Sequence, residues 1–335
     1  MVCQVRNAPG ALPVSCRKAR CIESTDPNPH SDAICSEPFP LSSSRRFAVS
    51  IRNFVTNLAG VESNSRSKPA TPGPSIQTFA SSEGGAWSNS YLIAGKSDAV
   101  LFDVFMLDRD AGQIADGITK SGKTLKAVMI SHAHPDHFMG LDLITERFPQ
   151  TQIVSTANVV ADIQQDGPWM FSLLQNKLGA EGPTRLVVPQ ALTEPILQIE
   201  ETQLEVVEFG EGESKHIAAV YIPQLKALLS ADLVYNNAHL YLQERHLESW
   251  LIRLDEVETF AKDKVATIYP GHGGAGALEL IAQTRAYLHD FAEAVRTGDA
   301  KAAEQRMLAK YPQYHVRQFL SVFSIPAYFP AAAST

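Results

Sequence analysis

The stretch Leu125-Lys126-Ala127-Val128-Met129-Ile130-Ser131-His132-Ala133-His134-Pro135-Asp136-His137 decides how this chain folds. Its first half has strand character, and its second half crowds four metal-binding side chains (His132, His134, Asp136 and His137) together. Imidazoles and a carboxylate are costly to bury without partners, so the crowding makes sense when something positive sits between them. Beyond it, Phe138, Leu141, Leu143, Ile144 and Phe148 recur at helical spacing and predict a helix over 138–148. The four ligands therefore belong to a strand-to-helix loop, where side chains can converge on an ion.

Downstream, three more residues stand at strand ends. His216 precedes the strand Ile217–Ile222, Asp232 follows Ala227–Leu229, and His272 sits in Tyr269-Pro270-Gly271-His272-Gly273-Gly274 after the strand Val265–Tyr269. Proteins that alternate strands and helices place working side chains at such ends. Each of the three alone would read as a surface, core or turn residue; together with the 132–137 cluster they make a metal site. His30, His239, His246, His289 and His315 lack that context and read as structural, with His239 close enough to Asp232 in sequence to line a pocket.

The chain has 335 residues, 44% of them hydrophobic, enough for one large domain with extensions. No apolar run approaches the ~18 residues of a membrane span, so no membrane is expected as a partner. Residues 1–70 hold nine Lys/Arg against five Asp/Glu, leaving twenty basic and thirty-one acidic residues in the rest. So acidic a body lacks the positive footprint of a nucleic-acid binder, and the expected partner is a small-molecule substrate. Cys3, Cys16, Cys21 and Cys35 match no zinc-ribbon spacing and read as incidental thiols.

Three segments are expected: a low-complexity, disordered extension over 1–74, a catalytic domain over 75–285, and a helical extension over 286–335 packing on it. The first ends in Lys68-Pro69-Ala70-Thr71-Pro72-Gly73-Pro74, a linker-like stretch. Phe47, Ile51, Phe54, Val55 and Leu58 beside Arg45, Arg46 and Arg52 are similar to a mitochondrial presequence. They begin some forty residues in, behind several acids, so the expected location is cytoplasmic, with mitochondrial as the alternative. Strands are expected at 90–94, 99–105, 125–130, 151–155, 204–209, 217–222, 227–229 and 265–269, and helices at 108–120, 157–165, 246–262, 278–296, 301–310 and 315–323. Strands flanked by helices in two successive halves predict an α/β fold of sheets packed together with helices outside.

A His-x-His-x-Asp-His motif, a later His, an Asp and a final Gly-His, in this order over roughly 76–285, resemble the metallo-β-lactamase superfamily. The resemblance implies an αββα sandwich, here with extra C-terminal helices, and the site at one edge between two sheets. It implies that His132, His134 and His216 bind one metal, that Asp136, His137 and His272 bind the other, and that Asp232 bridges. The expected cofactors are two Zn2+ per chain, with iron or manganese as alternatives that residue type leaves open. Two ions about 3.5–4 Å apart can share a hydroxide and polarise a carbonyl. Asp136 would then protonate the leaving group, and Asp103 would steady the site.

Asp232 separates the chain from classical β-lactamases of this superfamily and favours lactonases, thioesterases and glyoxalase-II-like hydrolases. Ile217-Ala218-Ala219 stands where many relatives have a Pro-Gly turn, and Ser230-Ala231-Asp232 where they have Gly-Asp. Tyr235, three residues past Asp232, resembles a lactonase tyrosine that holds the substrate oxyanion; the plainer reading is a ring packed on a strand end. Trp87, Trp169, Met170 and Phe171 are candidate pocket walls, and the helices after Leu278 could roof the site. The expected function is a dinuclear zinc hydrolase that opens a lactone or lactam, or cleaves a thioester, in detoxification or secondary metabolism. The alternatives are a glyoxalase-II-like thioesterase and an iron-dependent sulfur dioxygenase.

Overall fold

The computed structural model describes residues 73–329. The helical stretch at 47–58, the four cysteines and the extension up to residue 72 lie outside the described residues. Among those described, the first six strands are β1 (Ser75–Ala80), β2 (Asn89–Ala94), β3 (Asp98–Phe102), β4 (Thr124–Met129), β5 (Gln152–Ser155) and β6 (Gln190–Ala191). They form one sheet in sequence order, antiparallel from β1 to β3 and parallel from β3 to β6. The helices among them are α1 (Asp108–Ser121), α2 (Pro135–Phe138), α3 (Leu141–Arg147) and α4 (Ala157–Leu178). A second sheet has the order β11-β10-β9-β8-β7, from β7 (Ile196–Ile199), β8 (Thr202–Phe209), β9 (Ile217–Ile222), β10 (Ala227–Tyr235) and β11 (Thr267–His272). Helix α5 (Leu247–Ala261) precedes β11, and α6 (Glu279–Val295), α7 (Ala300–Lys310), a π-helical turn (Phe319–Ser324) and α8 (Ile325–Tyr328) follow it. This is the expected αββα sandwich with added C-terminal helices.

Pattern explains the elements. Helix α1 buries Ala111, Ile114, Ala115 and Ile118, a 3.6-residue stripe, and Gly122 closes it in the left-handed conformation. Strands β9 and β10 are buried along their whole length, which suits a sheet covered on both faces. Replacing a fully buried side chain such as Ile114 by alanine should cost roughly 2–5 kcal/mol.

Several boundaries differ from the sequence expectation, among them the ends of β3, β10 and β11, and three of the differences have a plain cause. Helix α4 runs on to Leu178 through Pro168, because Leu174 and Leu178 still pack on the core beyond the proline. The expected helix over 138–148 is two pieces, α2 and α3, separated by Met139-Gly140. A Cβ on Gly140 would stand 2.6 Å from the Val104 carbonyl oxygen, so this close crossing admits only glycine. The boundary drawn after residue 285 falls inside the continuous helix α6. Leu280, Tyr287, Phe291, Met307 and Leu320 belong to the same apolar core as the sheets, so the last helices extend that core. No helix among the described residues is long and apolar enough to cross a membrane.

Candidate metal centre

Four chain segments meet where the two sheets adjoin: the loop after β4, the turn before β9, the end of β10 and the end of β11. Cross-sheet hydrogen bonds hold them together. Asn89 Nδ2 donates to the carbonyls of Pro270 at 2.9 Å and Gly273 at 2.6 Å, and the Tyr91 hydroxyl donates to Pro270 at 2.5 Å. The Ala218 N–H donates to the Ser131 carbonyl at 2.8 Å, fastening β9 to the histidine loop.

Backbone strain aims two of the acids. Asp103 (φ 62°) follows β3 and Ala231 (φ 47°) precedes Asp232, both in the left-handed region that non-glycine residues rarely occupy. The pairing of β10 with β11 shifts register at Ala231, so the strand kinks and turns Asp232 inward. Gly271 makes room for it: a Cβ there would lie 1.6 Å from Asp232 Oδ1.

Each of four imidazoles is fixed by one ring nitrogen. His272 Nδ1 donates to the Ala86 carbonyl at 3.0 Å, and His137 Nδ1 donates to Asp103 Oδ2 at 2.9 Å. Asp103 also accepts the Ser131 N–H at 2.8 Å and the Ser131 hydroxyl at 2.7 Å. That hydroxyl has its one proton committed, so it accepts from His132 Nδ1, 2.8 Å away. His134 Nε2 donates to Glu244 Oε1 at 2.8 Å. All four rings therefore turn their other nitrogen inward, as metal-ligating histidines with fixed tautomers do.

The inward atoms form three groups: His132, His134 and Glu213; His132, His137 and Asp232; Asp136, His137 and His272. His137 Nε2 is 3.3 Å from Asp232 Oδ1 and 3.5 Å from Asp136 Oδ2, and His272 Nε2 is 3.2 Å from Asp232 Oδ2. Six of these atoms are buried without a hydrogen-bond partner: His132 Nε2, Asp136 Oδ2, His137 Nε2, Glu213 Oε2, Asp232 Oδ1 and His272 Nε2. Orphaned donors of this kind, convergent and of mixed nitrogen and carboxylate type, fit divalent cations. Burial alone would raise the Asp232 carboxyl, but His137 and His272 hold it well below the usual carboxylate range. Burial pushes Glu213 up to about 8, with His134 opposing.

His216 is not among them. Its side chain is 34% exposed and its Nδ1 lies 2.8 Å from Asp162 Oδ2 on α4. Lys215 pairs with Asp166, one turn further along the same helix, at 3.2 Å. These two ties turn residues 215 and 216 outward, and Glu213 enters instead, its Oε1 2.9 Å from His134 Nδ1. The expectation that His216 joins His132 and His134 is corrected accordingly. Sequence offered little to find Glu213: it is one of two acids in Glu211-Gly212-Glu213, and the other pairs with Ser249 at the surface.

Tyr235 is buried, its ring stacked on His272 at 5.0 Å and its hydroxyl donating to Asp232 Oδ2 at 2.5 Å. That proton is engaged with a carboxylate, which differs from the open oxyanion donor expected from sequence. Burial and the neighbouring Asp232 keep the phenol protonated by raising it well above its ordinary range. Of the candidate wall residues, Trp87 is 42% exposed and reaches His315, while Trp169 points away on α4 at 63% exposed. His239 hydrogen-bonds the Tyr287 hydroxyl at 2.8 Å within the C-terminal packing. The C-terminal segment closes over the centre through Phe319, 5.2 Å from the His272 ring, and through Tyr241, which touches both Phe319 and His134.

Comparison with solved structures finds the same fold. A metallo-beta-lactamase family protein from Thermus thermophilus aligns over 77% of this chain and 92% of its own, at 18% identity and TM-score 0.56. The B3 metallo-beta-lactamase BLEG-1 aligns over 64% and 99%, at 17% identity and TM-score 0.51. A search of curated proteins finds no sequence match. The family model of the metallo-beta-lactamase superfamily matches residues 87–272, from the exposed Trp87 at the site's rim to the last inward-facing histidine. With that match spanning more than half its length, and with its histidines and acids gathered between two sheets, this chain belongs to the metallo-beta-lactamase superfamily.

Proposed function

We propose that this protein is a metal-dependent hydrolase that adds water across the acyl bond of a small molecule, a lactone or lactam first and a thioester next. The observation that carries the reading is the set of six buried, partnerless atoms converging between the sheets. His132, His134, Asp136, His137, Asp232 and His272 would hold divalent cations, zinc being the first expectation. Such ions supply Lewis acidity and an activated water at neutral pH.

The chain's own residues do the rest. Asp103, through Ser131 and His137, and Glu244, through His134, fix the rings so that no reorganisation is needed during turnover. Asp136 keeps a partnerless Oδ2 among the inward-facing nitrogens, and its side chain is 12% exposed, against 2% or less for Asp232 and His272. It is thus the acid best placed to take a proton from the attacking water and return it to the departing oxygen, nitrogen or sulfur. Tyr235 anchors Asp232, and it contributes an oxyanion donor only when that bond opens. Trp87 and Phe319 would bound the substrate on its apolar side.

The test is a screen of lactones, lactams and thioesters with zinc-loaded protein, paired with Asp136→Ala. Activity should fall below about one hundredth in the variant; near-normal turnover would remove Asp136 from its role. A second reading, an iron-dependent dioxygenase acting on a persulfide, draws on His132, His134 and Glu213, a two-histidine, one-carboxylate set. Oxygen uptake with a persulfide and iron-loaded protein separates it from the hydrolase.

A further inference from the structure

The two ends of the centre carry the same donors. One end offers His132 Nε2, His134 Nδ1 and a Glu213 carboxylate; the other offers His137 Nε2, His272 Nε2 and an Asp136 carboxylate. Asp232 stands between them, grouped with His132 on one side and with His137 on the other. Glu213 is 2% exposed, with Oε2 buried and partnerless 3.5 Å from His132 Nε2. Its Oε1 meets His134, but a buried carboxylate oxygen left without any partner is costly unless a cation meets it. His216 belongs to none of the three groups; its side chain is 34% exposed, with Nδ1 on Asp162.

We propose that Glu213 is the third protein ligand of the first metal position. The centre is then a matched pair of two-histidine, one-carboxylate sets sharing Asp232, and it accepts a like pair of Mn(II) ions as well as zinc. The reason is donor chemistry. Imidazole suits zinc, whereas carboxylate oxygen suits harder ions such as Mn(II). Three carboxylates against four imidazoles, distributed evenly, give neither position an all-nitrogen set that would favour zinc there alone. This inference rests on the metal-dependent reading above and says which ions that site takes.

The experiment measures bound metal in the full-length protein, stripped, reloaded with excess Mn(II) or Zn(II), desalted and analysed by elemental mass spectrometry, with electron paramagnetic resonance on the manganese form. Wild type should keep two ions of either metal per chain and show exchange-coupled Mn(II). Glu213→His should keep two zinc ions but lose manganese from one position, its affinity there falling about tenfold or more. Glu213→Gln should lose one ion of either metal, and His216→Ala should match wild type for both. Thermal melts of each variant identify any that does not fold, and the His and Gln replacements serve as independent routes past that. Loss of one ion in His216→Ala, fewer than two manganese ions in wild type, or unaltered manganese binding in both Glu213 variants overturns the inference while leaving a zinc hydrolase standing. Wild-type protein that takes up neither metal overturns the hydrolase reading as well.

Discussion

Asp162 and His216 form a 2.8 Å pair that joins α4 to the turn before β9, and the same turn carries Glu213 inward. A histidine that looks like a ligand by its order in the chain is thereby a surface tether. Asp162→Ala should cost about 1.5 kcal/mol of stability, the lower end of the range for a hydrogen bond to a charged group, since the pair is partly exposed, and leave bound metal unchanged. Loss of metal equal to that of a Glu213 variant would show that the pair positions the turn rather than decorating it. Urea unfolding with parallel metal analysis decides between these.

Tyr235→Phe removes the hydroxyl that donates to Asp232. The ring still stacks on His272, so folding should be nearly unaffected. Activity or metal affinity should drop about 10- to 100-fold, the range for residues that orient a metal ligand. Wild-type turnover together with wild-type metal affinity would reduce Tyr235 to a packing residue.

Gly271→Ala pushes a methyl group onto Asp232 Oδ1, 1.6 Å from where the Cβ must sit. Backbone surrounds the position, since Ala231 C is 2.9 Å from the same point, so the carboxylate has to move. Bound metal should fall by at least one ion per chain, and activity with it. Isothermal titration with zinc would register the lost site.

His239 makes stability depend on pH. It is fully buried, and burial, with Arg317 adding to it, lowers its imidazole from 6.5 to about 4. The unfolded chain therefore binds a proton below pH 6.5 that the folded chain refuses until about 4. Stability is fully present above 6.5 and is lost as the pH falls through that window, by roughly 3 kcal/mol at the most. In His239→Asn, which can still bond Tyr287, the difference in unfolding free energy from wild type should shrink as the pH drops from 7 to 4.5. A constant difference would contradict the assignment.

Much of this was legible from residue order. The 132–137 cluster follows a strand whose apolar run is unmistakable, Asp232 and His272 lie in β10 and β11, which run on past their expected ends, and β9 has the bounds that its pattern predicts. Asp103 was legible only through the family resemblance, inside an expected strand over 99–105 that in fact ends at Phe102. Glu213 and Glu244 were not, because a single carboxylate in a polar turn has no periodicity to mark its direction; Glu213 is met inside by His134, while its neighbours Lys215 and His216 pair with acids on α4 some fifty residues earlier. For Tyr235 the residue order leaves open both a substrate-facing hydroxyl and a ring packed on a strand end; a three-residue offset along a kinked strand brings the hydroxyl onto Asp232. The length of α4 escaped because its proline argues locally for a stop, while tertiary packing on Leu174 and Leu178 overrides it.

Because the inward-facing donors come from both sheets, cations bound among them would rivet one half of the sandwich to the other. Ions at a thousandfold excess over their dissociation constant add about 4 kcal/mol to the folded state, comparable to much of a domain's entire margin. Protein starved of metal would then be short-lived as well as idle, shedding its weakened seam to proteases, and its abundance would track the supply of the ion it uses.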